Sequence, residues 1–296
     1  SLAAIVFTWA IALPIGIYSA VYRYSFLDYL FTFVGFIGLG IMGGSFARNL
    51  VKSGWRVVGY DISPARRKEL SQAGVKIADG IPELAAAVPV IITSLPKPEA
   101  LAAVAHAIAD AKLPKKIIAE CSTFTIEDKE GAEAVLRKSG HTLLDCPVSG
   151  TGSQARTGDL VIYASGDTKA IARLKPMFAG YSRKTYDVGT FGNGSKMKYV
   201  ANLLVAINNV ATAEAMVLGM KAGLDPQVIF EMIQNGAGNS RVFELRAPMM
   251  VKNDYASDVT MKCSIWQKDM DVIGGYAKKL RVSTPLFSAT QPVYHA

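Results

Sequence analysis

Apolar positions come first in short runs and then, toward the end of the chain, in long stretches with a helical period. From Phe33 onward, runs at 33–37, 56–60, 75–77, 90–94, 116–120, 142–145, 160–164 and 184–188 read as strands. Between most of them, apolar residues recur every three or four positions, as on one face of a helix. Such alternation predicts an α/β fold, with a doubly wound, mostly parallel sheet covered by helices on both faces. The strand pattern stops near Val188. From Met197 to Gly223, a run rich in Ala, Val, Leu and Met reads as one long helix. Helices at 226–234, 242–250 and 260–279 follow, punctuated by Gly236, Gly238, Pro248 and Pro285. The expected organisation is a sheet domain over 33–195 and an all-helical domain over 196–296, hinged by the long helix.

The first 32 residues break this pattern. Residues 2–22 are almost wholly apolar and carry no charge, which suits a membrane-spanning helix. Pro14 and Gly16 interrupt the run, and transmembrane helices tolerate such interruptions. An aromatic-rich stretch, Tyr22 to Leu30, follows. An extra N-terminal hydrophobic helix is therefore expected.

Composition narrows the chemistry. The net charge of +8 is moderate, and the basic residues are scattered without aromatic interleaving. That argues against nucleic acid and suits an anionic cofactor and substrate. Cys121, Cys146 and Cys263 have no metal-ligand spacing, and an odd count suits a reducing, cytoplasmic compartment. His106, His141 and His295 do not cluster, so neither a metal site nor a Ser-His-Asp triad is expected.

Gly38-Leu39-Gly40-Ile41-Met42-Gly43 carries the strongest signal. It follows an apolar strand and opens a helix. In that context Gly38 permits a tight turn, Gly40 lets backbone amides approach a pyrophosphate, and Gly43 brings helix and strand together. The helix start adds unpaired N–H groups and partial positive charge. Asp61 ends the next strand, about 20 residues on, where an acid binds the adenosine ribose hydroxyls. The sheet domain is thus read as Rossmann-type. NAD is the expected cofactor, with NADP admissible because Arg66 and Arg67 follow.

Three further segments offer chemistry. In Asp145-Cys146-Pro147-Val148-Ser149-Gly150, the Ser149 hydroxyl and Gly150 amide could hold a carboxylate, although these residues taken alone read first as a plain structural loop. Lys198 and Asn202 lie one helical turn apart on one face. Lys198 sits among Met197, Tyr199, Val200 and Leu203, where desolvation would lower its pKa toward a range useful for proton transfer. The bland alternative is a lysine that reaches out to solvent. Lys268-Asp269-Met270-Asp271, read alone, is a set of surface charges on a late helix.

Together these segments resemble the 3-hydroxyisobutyrate dehydrogenase family of β-hydroxyacid dehydrogenases, from about Val34 to the C-terminus. The shared motifs are the glycine opening, Leu95-Pro96, Ser122-Thr123, Asp145 to Gly150, Gly192 to Asn202, and Lys268-Asp269. The resemblance implies hydride transfer between NAD(P) and a small 3-hydroxy acid or its semialdehyde. It gives Lys198 the proton transfer, Asn202 the substrate contact, and Ser149 and Gly150 the substrate carboxylate. Leu95, Pro96 and Thr123 would line the cofactor groove, with Lys268 beside the nicotinamide. It also implies a homo-oligomer. Two departures stand out: Ala201 replaces the first of a usual asparagine pair, and the family extends about one helix beyond the position of His295. Reductases for tartronate semialdehyde, succinic semialdehyde or glyoxylate would use the same residues. An imine reductase shares the architecture, but Lys198 argues against it. The first 34 residues instead resemble a permease subunit of peptide-type ABC transporters, joined at the shared Gly-Phe-Ile-Gly-Leu phrase. A non-catalytic, membrane-tethered chimera is the rival reading from a different class.

Overall fold

The computed structural model describes residues 33–254 and 263–295. The expected N-terminal hydrophobic helix and its permease resemblance lie outside the described residues.

Six parallel strands form the main sheet, in the order β3-β2-β1-β4-β5-β6. They are β1 (Phe33–Ile37), β2 (Arg56–Tyr60), β3 (Lys76–Ile77), β4 (Val90–Thr93), β5 (Ile117–Glu120) and β6 (Thr142–Asp145). The order reverses between β1 and β4, so a crevice opens beyond their carboxyl ends. The linking helices are α1 (Ile41–Lys52), α2 (Pro64–Gln72), α3 (Ile81–Ala87), α4 (Pro98–Asp110) and α5 (Ile126–Lys138). Strand alternation divides the core. Val34, Phe36, Ile92 and Leu144 face Phe46 and Leu50 of α1, whereas Ile37, Ile91 and Ile118 face Leu84, Leu101, Val104 and Leu136.

The last expected strands do not extend this sheet. A separate three-stranded sheet comprises β7 (Val148–Ser149), β8 (Val161–Ala164) and β9 (Lys184–Asp187). α6 (Gly152–Thr157) and α7 (Thr168–Phe178) lie between them in sequence. Val148 and Ser149, which also read as a loop, pair antiparallel with Ile162 and Val161.

The helical part begins with α8 (Asn193–Lys221), four residues ahead of its expected start. It packs against β6, β7 and β8 at one end and against the later helices along the rest. Those helices are α9 (Pro226–Gln234), α10 (Arg241–Lys252), α11 (Cys263–Lys279) and α12 (Pro285–His295). Tyr199, Ala206, Trp266, Met270, Ile273 and Phe287 form one core here. Met216, Ile229, Phe243 and Ala247 form another. Val200, Leu204, Val217 and Leu218 of α8 stay more than half exposed.

Candidate active site

The glycine segment folds as its spacing dictates, and each glycine has its own reason. Gly38 takes φ +93°, and a Cβ there would meet the Ser94 carbonyl oxygen at 2.2 Å. A Cβ on Gly43 would meet the Gly38 carbonyl oxygen at 2.0 Å. A Cβ on Gly40 would meet nothing within 4 Å. The fold itself therefore demands the first and third glycines, whereas the second borders open space. Gly40 is also the N-cap of α1, and no side chain caps that helix. Uncapped amides beside open space fit the pyrophosphate of a dinucleotide. Leu39 is buried, while Ile41 and Met42 are half-buried at the rim.

Asp61 stands at the end of β2, half-buried, and closes this loop. Its Oδ2 accepts from Leu39 N at 2.7 Å and its Oδ1 accepts from Ser63 N at 2.8 Å. A carboxylate has about four acceptor positions, so two amides leave room for ribose hydroxyls. Arg66 is engaged with Glu69, and Arg67 donates to the Asp61 carbonyl oxygen at 3.2 Å.

Across the crevice, Leu95 N donates to Ser122 Oγ at 2.8 Å, which joins the turns after β4 and β5. Pro96 is exposed and Thr123 half-buried beside them. The helical part grips this turn twice. Lys268 Nζ donates to the Thr123 carbonyl oxygen, and Tyr199 donates its hydroxyl to the Phe124 carbonyl oxygen at 2.5 Å. Lys268 Nζ also lies 5.1 Å from the centroid of the Phe124 ring.

Lys198 does not reach out to solvent. It is only 8% exposed. Burial pushes its pKa down to about 8, with the Lys268 and Lys129 cations adding to the fall and Asp269 opposing it. Asn202, one turn along α8, is buried and donates from Nδ2 to Asp269 Oδ2 at 3.2 Å. Asp269 Oδ1 lies 2.8 Å from Lys268 Nζ. The late Lys-Asp pair is thus a bridge between α8, α11 and the turn at Thr123, and not a set of surface charges. Ser149 ends β7, the strand on which the start of α8 packs. Gly150 follows at φ +134°, and a Cβ there would meet Leu160 Cδ2 at 2.4 Å.

Asp145 lies within a recognised motif, yet its job is legible only in three dimensions. It is fully buried. Its Oδ2 accepts from Ser195 N at 2.7 Å and its Oδ1 accepts from Ser195 Oγ at 2.8 Å. Gly194 lets the helix start come this close, since a Cβ there would meet the Tyr163 carbonyl oxygen at 2.4 Å. A carboxylate at the positive end of α8 anchors the helix that carries Lys198. Lys129 Nζ sits 2.8 Å from Asp145 Oδ1 and 2.7 Å from Glu120 Oε2, with all three side chains buried. Sequence reasoning passed over Lys129 and Glu120. A signal existed, because Lys129 shares the buried stripe of α5 with Ala132 and Leu136. Among the described residues, no group of His, Cys, Asp and Glu could hold a metal ion. Cys121 and Cys146 are buried with thiols pushed up by desolvation, so neither is a poised nucleophile.

A doubly wound parallel sheet with an uncapped glycine turn at its switch point, closed by a helix bearing a desolvated lysine, defines a nicotinamide-dependent oxidoreductase. The chain belongs to the 3-hydroxyisobutyrate dehydrogenase-like family of NAD(P)-dependent hydroxyacid dehydrogenases. Residues 33–189 match the NAD binding domain of 6-phosphogluconate dehydrogenase. Residues 192–296 match the NAD-binding domain of NADP-dependent 3-hydroxyisobutyrate dehydrogenase. The 3-hydroxyisobutyrate dehydrogenase of Pseudomonas aeruginosa is 33% identical over 86% of this chain and 88% of its own length. The L-threonate dehydrogenase of Cupriavidus necator is 31% identical over 88% of this chain and 89% of its own. The structure of Mycobacterium tuberculosis 3-hydroxyisobutyrate dehydrogenase with L-serine superposes with a TM-score of 0.79 at 27% identity, covering 89% of this chain and 92% of that one.

Proposed function

We propose that the substrate is a small carboxylate carrying a hydroxyl at its third carbon, or the matching semialdehyde, and that Lys198 moves its proton. The observation that carries this reading is a buried lysine whose pKa lies near 8, one helical turn from Asn202. Such an amine takes a hydroxyl proton during oxidation and returns it to the forming alkoxide during reduction. Asn202 orients the substrate with the amide capacity that its bond to Asp269 leaves free. Ser149 and the Gly150 amide bind the carboxylate. Residues 33–195 hold the dinucleotide through Gly38 to Gly43 and Asp61, with Leu95, Pro96 and Thr123 along the groove. Residues 196–296 close over it, and Lys268 excludes water from the nicotinamide side. When bound, the nicotinamide supplies the hydride acceptor and donor. 3-Hydroxyisobutyrate, L-threonate and L-serine, named for the relatives above, each combine a hydroxyl with a carboxylate.

NAD is the preferred form, because the acidic side chain of Asp61 disfavours a ribose phosphate beside it. The exposed apolar residues of α8 support a second copy of the chain as partner, in a cytoplasmic enzyme.

Incubation with a panel of hydroxy acids and NAD, followed by nicotinamide absorbance, tests the reading. Lys198→Ala lowers turnover by on the order of 10²–10⁴-fold and leaves NAD affinity nearly unchanged. An alanine variant with parental turnover removes Lys198 from the mechanism.

A further inference from the structure

We propose that Lys129 is a positioning residue: through one buried ionic bridge it holds the start of α8 and the dinucleotide-side turn after β5 in a fixed relation. The inference rests on the reading of Lys198 given above, and it concerns how that lysine is held.

Glu120 and Asp145 are the last residues of β5 and β6 and pair directly in register. Directly paired side chains leave the same face of a sheet with strands about 4.8 Å apart. Two buried carboxylates at that separation repel each other, and a cation between them offsets the repulsion. Lys129 supplies it, reaching both acids from α5 at 2.7 and 2.8 Å.

Each acid then has a second task. Glu120 Oε1 accepts from Ser122 N at 2.9 Å, and Ser122 Oγ accepts from Leu95 N, so this arm shapes the cofactor groove. Asp145 uses both oxygens on Ser195, in the first turn of α8, three positions before Lys198. Without the cation, repulsion between the two carboxylates would push Asp145 off Ser195 and loosen that grip. The cation therefore keeps both arms in place at once. Packing does not require a lysine here, because its neighbours on the α5 stripe, Ala132 and Leu136, are apolar.

Lys198 reports on the bridge. The charges that face it are Asp269 and Lys268 from α11 and Lys129 from α5. Removing the Lys129 cation while leaving two acids makes the surroundings of Lys198 more negative.

Lys198 can be followed without turnover by NMR of isotope-labelled lysine in the full chain, its signal assigned by loss in Lys198→Arg. In Lys129→Met, its titration should move up from about 8 by on the order of one unit. Oxidation at neutral pH should fall about tenfold, as the neutral amine becomes scarcer. NAD affinity, read by equilibrium binding, should fall several-fold. The double variant Glu120→Gln/Lys129→Met restores the local charge and should return the Lys198 titration toward the parental one. It also serves if Lys129→Met alone does not fold. An unchanged Lys198 titration in folded Lys129→Met overturns the proposal. So does a double variant that stays unfolded or displaced, and an unchanged NAD affinity removes the dinucleotide arm. Should Lys198→Ala keep parental turnover while the Lys198 titration still follows Lys129, the proton-transfer reading fails and the positioning role of Lys129 stands.

Discussion

Asn202 and Asp269, 67 positions apart in sequence, meet at 3.2 Å. The bond ties the long helix to the late helix beside Lys198. Asp269 also raises the pKa of Lys198 against the larger effect of burial. Asp269→Asn should therefore lower that pKa further. In the pH profile of oxidation, the limb that reports a deprotonated amine should move to lower pH by about one unit. A limb that stays near 8, or moves up, shows that Asp269 does not act on Lys198.

Holding Lys198 dry costs stability. Its folded pKa, about 8, lies below the ordinary lysine value of 10.5. Below about pH 8 both states are charged and the folded one carries the full penalty. The penalty fades as pH rises from 8 through 10.5, where the unfolded chain also loses its proton. Lys198→Met should thus stabilise the inactive protein at pH 7 by about 1–3 kcal/mol, with the gain shrinking as pH rises above about 8 and nearly gone by 10.5. Thermal melts across pH measure this directly, and a destabilised variant at pH 7 contradicts it.

The glycines of the first turn should separate by function. Gly40→Ala leaves the melting temperature within a few degrees, because its Cβ enters open space, and weakens NAD binding. Gly43→Ala drives a Cβ against the Gly38 carbonyl oxygen and should destabilise the fold by about 2 kcal/mol or more. Melts and NAD titrations on both variants decide it. A Gly40→Ala protein that binds NAD normally would place the pyrophosphate elsewhere.

Asp61 is expected to set the cofactor preference. Asp61→Ala removes the charge that opposes a ribose phosphate, so the NAD to NADP ratio of kcat/KM should fall about tenfold or more. Part of the loss will fall on both cofactors, because Leu39 N and Ser63 N lose their acceptor. A ratio that does not change would reassign the ribose contact.

Much of this was legible in one dimension. Strand and helix periods gave the α/β part and the helical part, because side-chain burial follows local periodicity. Gly38 and Gly43 could be read because the constraint on each is a backbone clash within a short segment. Lys198 and Asn202 could be placed on one face because one helical turn separates them. Ser149 was harder. Its two-residue strand exists only through pairing with β8, and the last three strands form a second sheet of their own.

The tertiary structure alone decided the electrostatics. Nothing near Lys198 in sequence says that α11 will bring Asp269 and Lys268 beside it. Nothing near Lys129 says that two strand ends will place Glu120 and Asp145 around its ammonium. Periodicity reports which residues are buried, a property of each segment. Charge is settled by which other segments arrive, and a pKa depends on all of them at once.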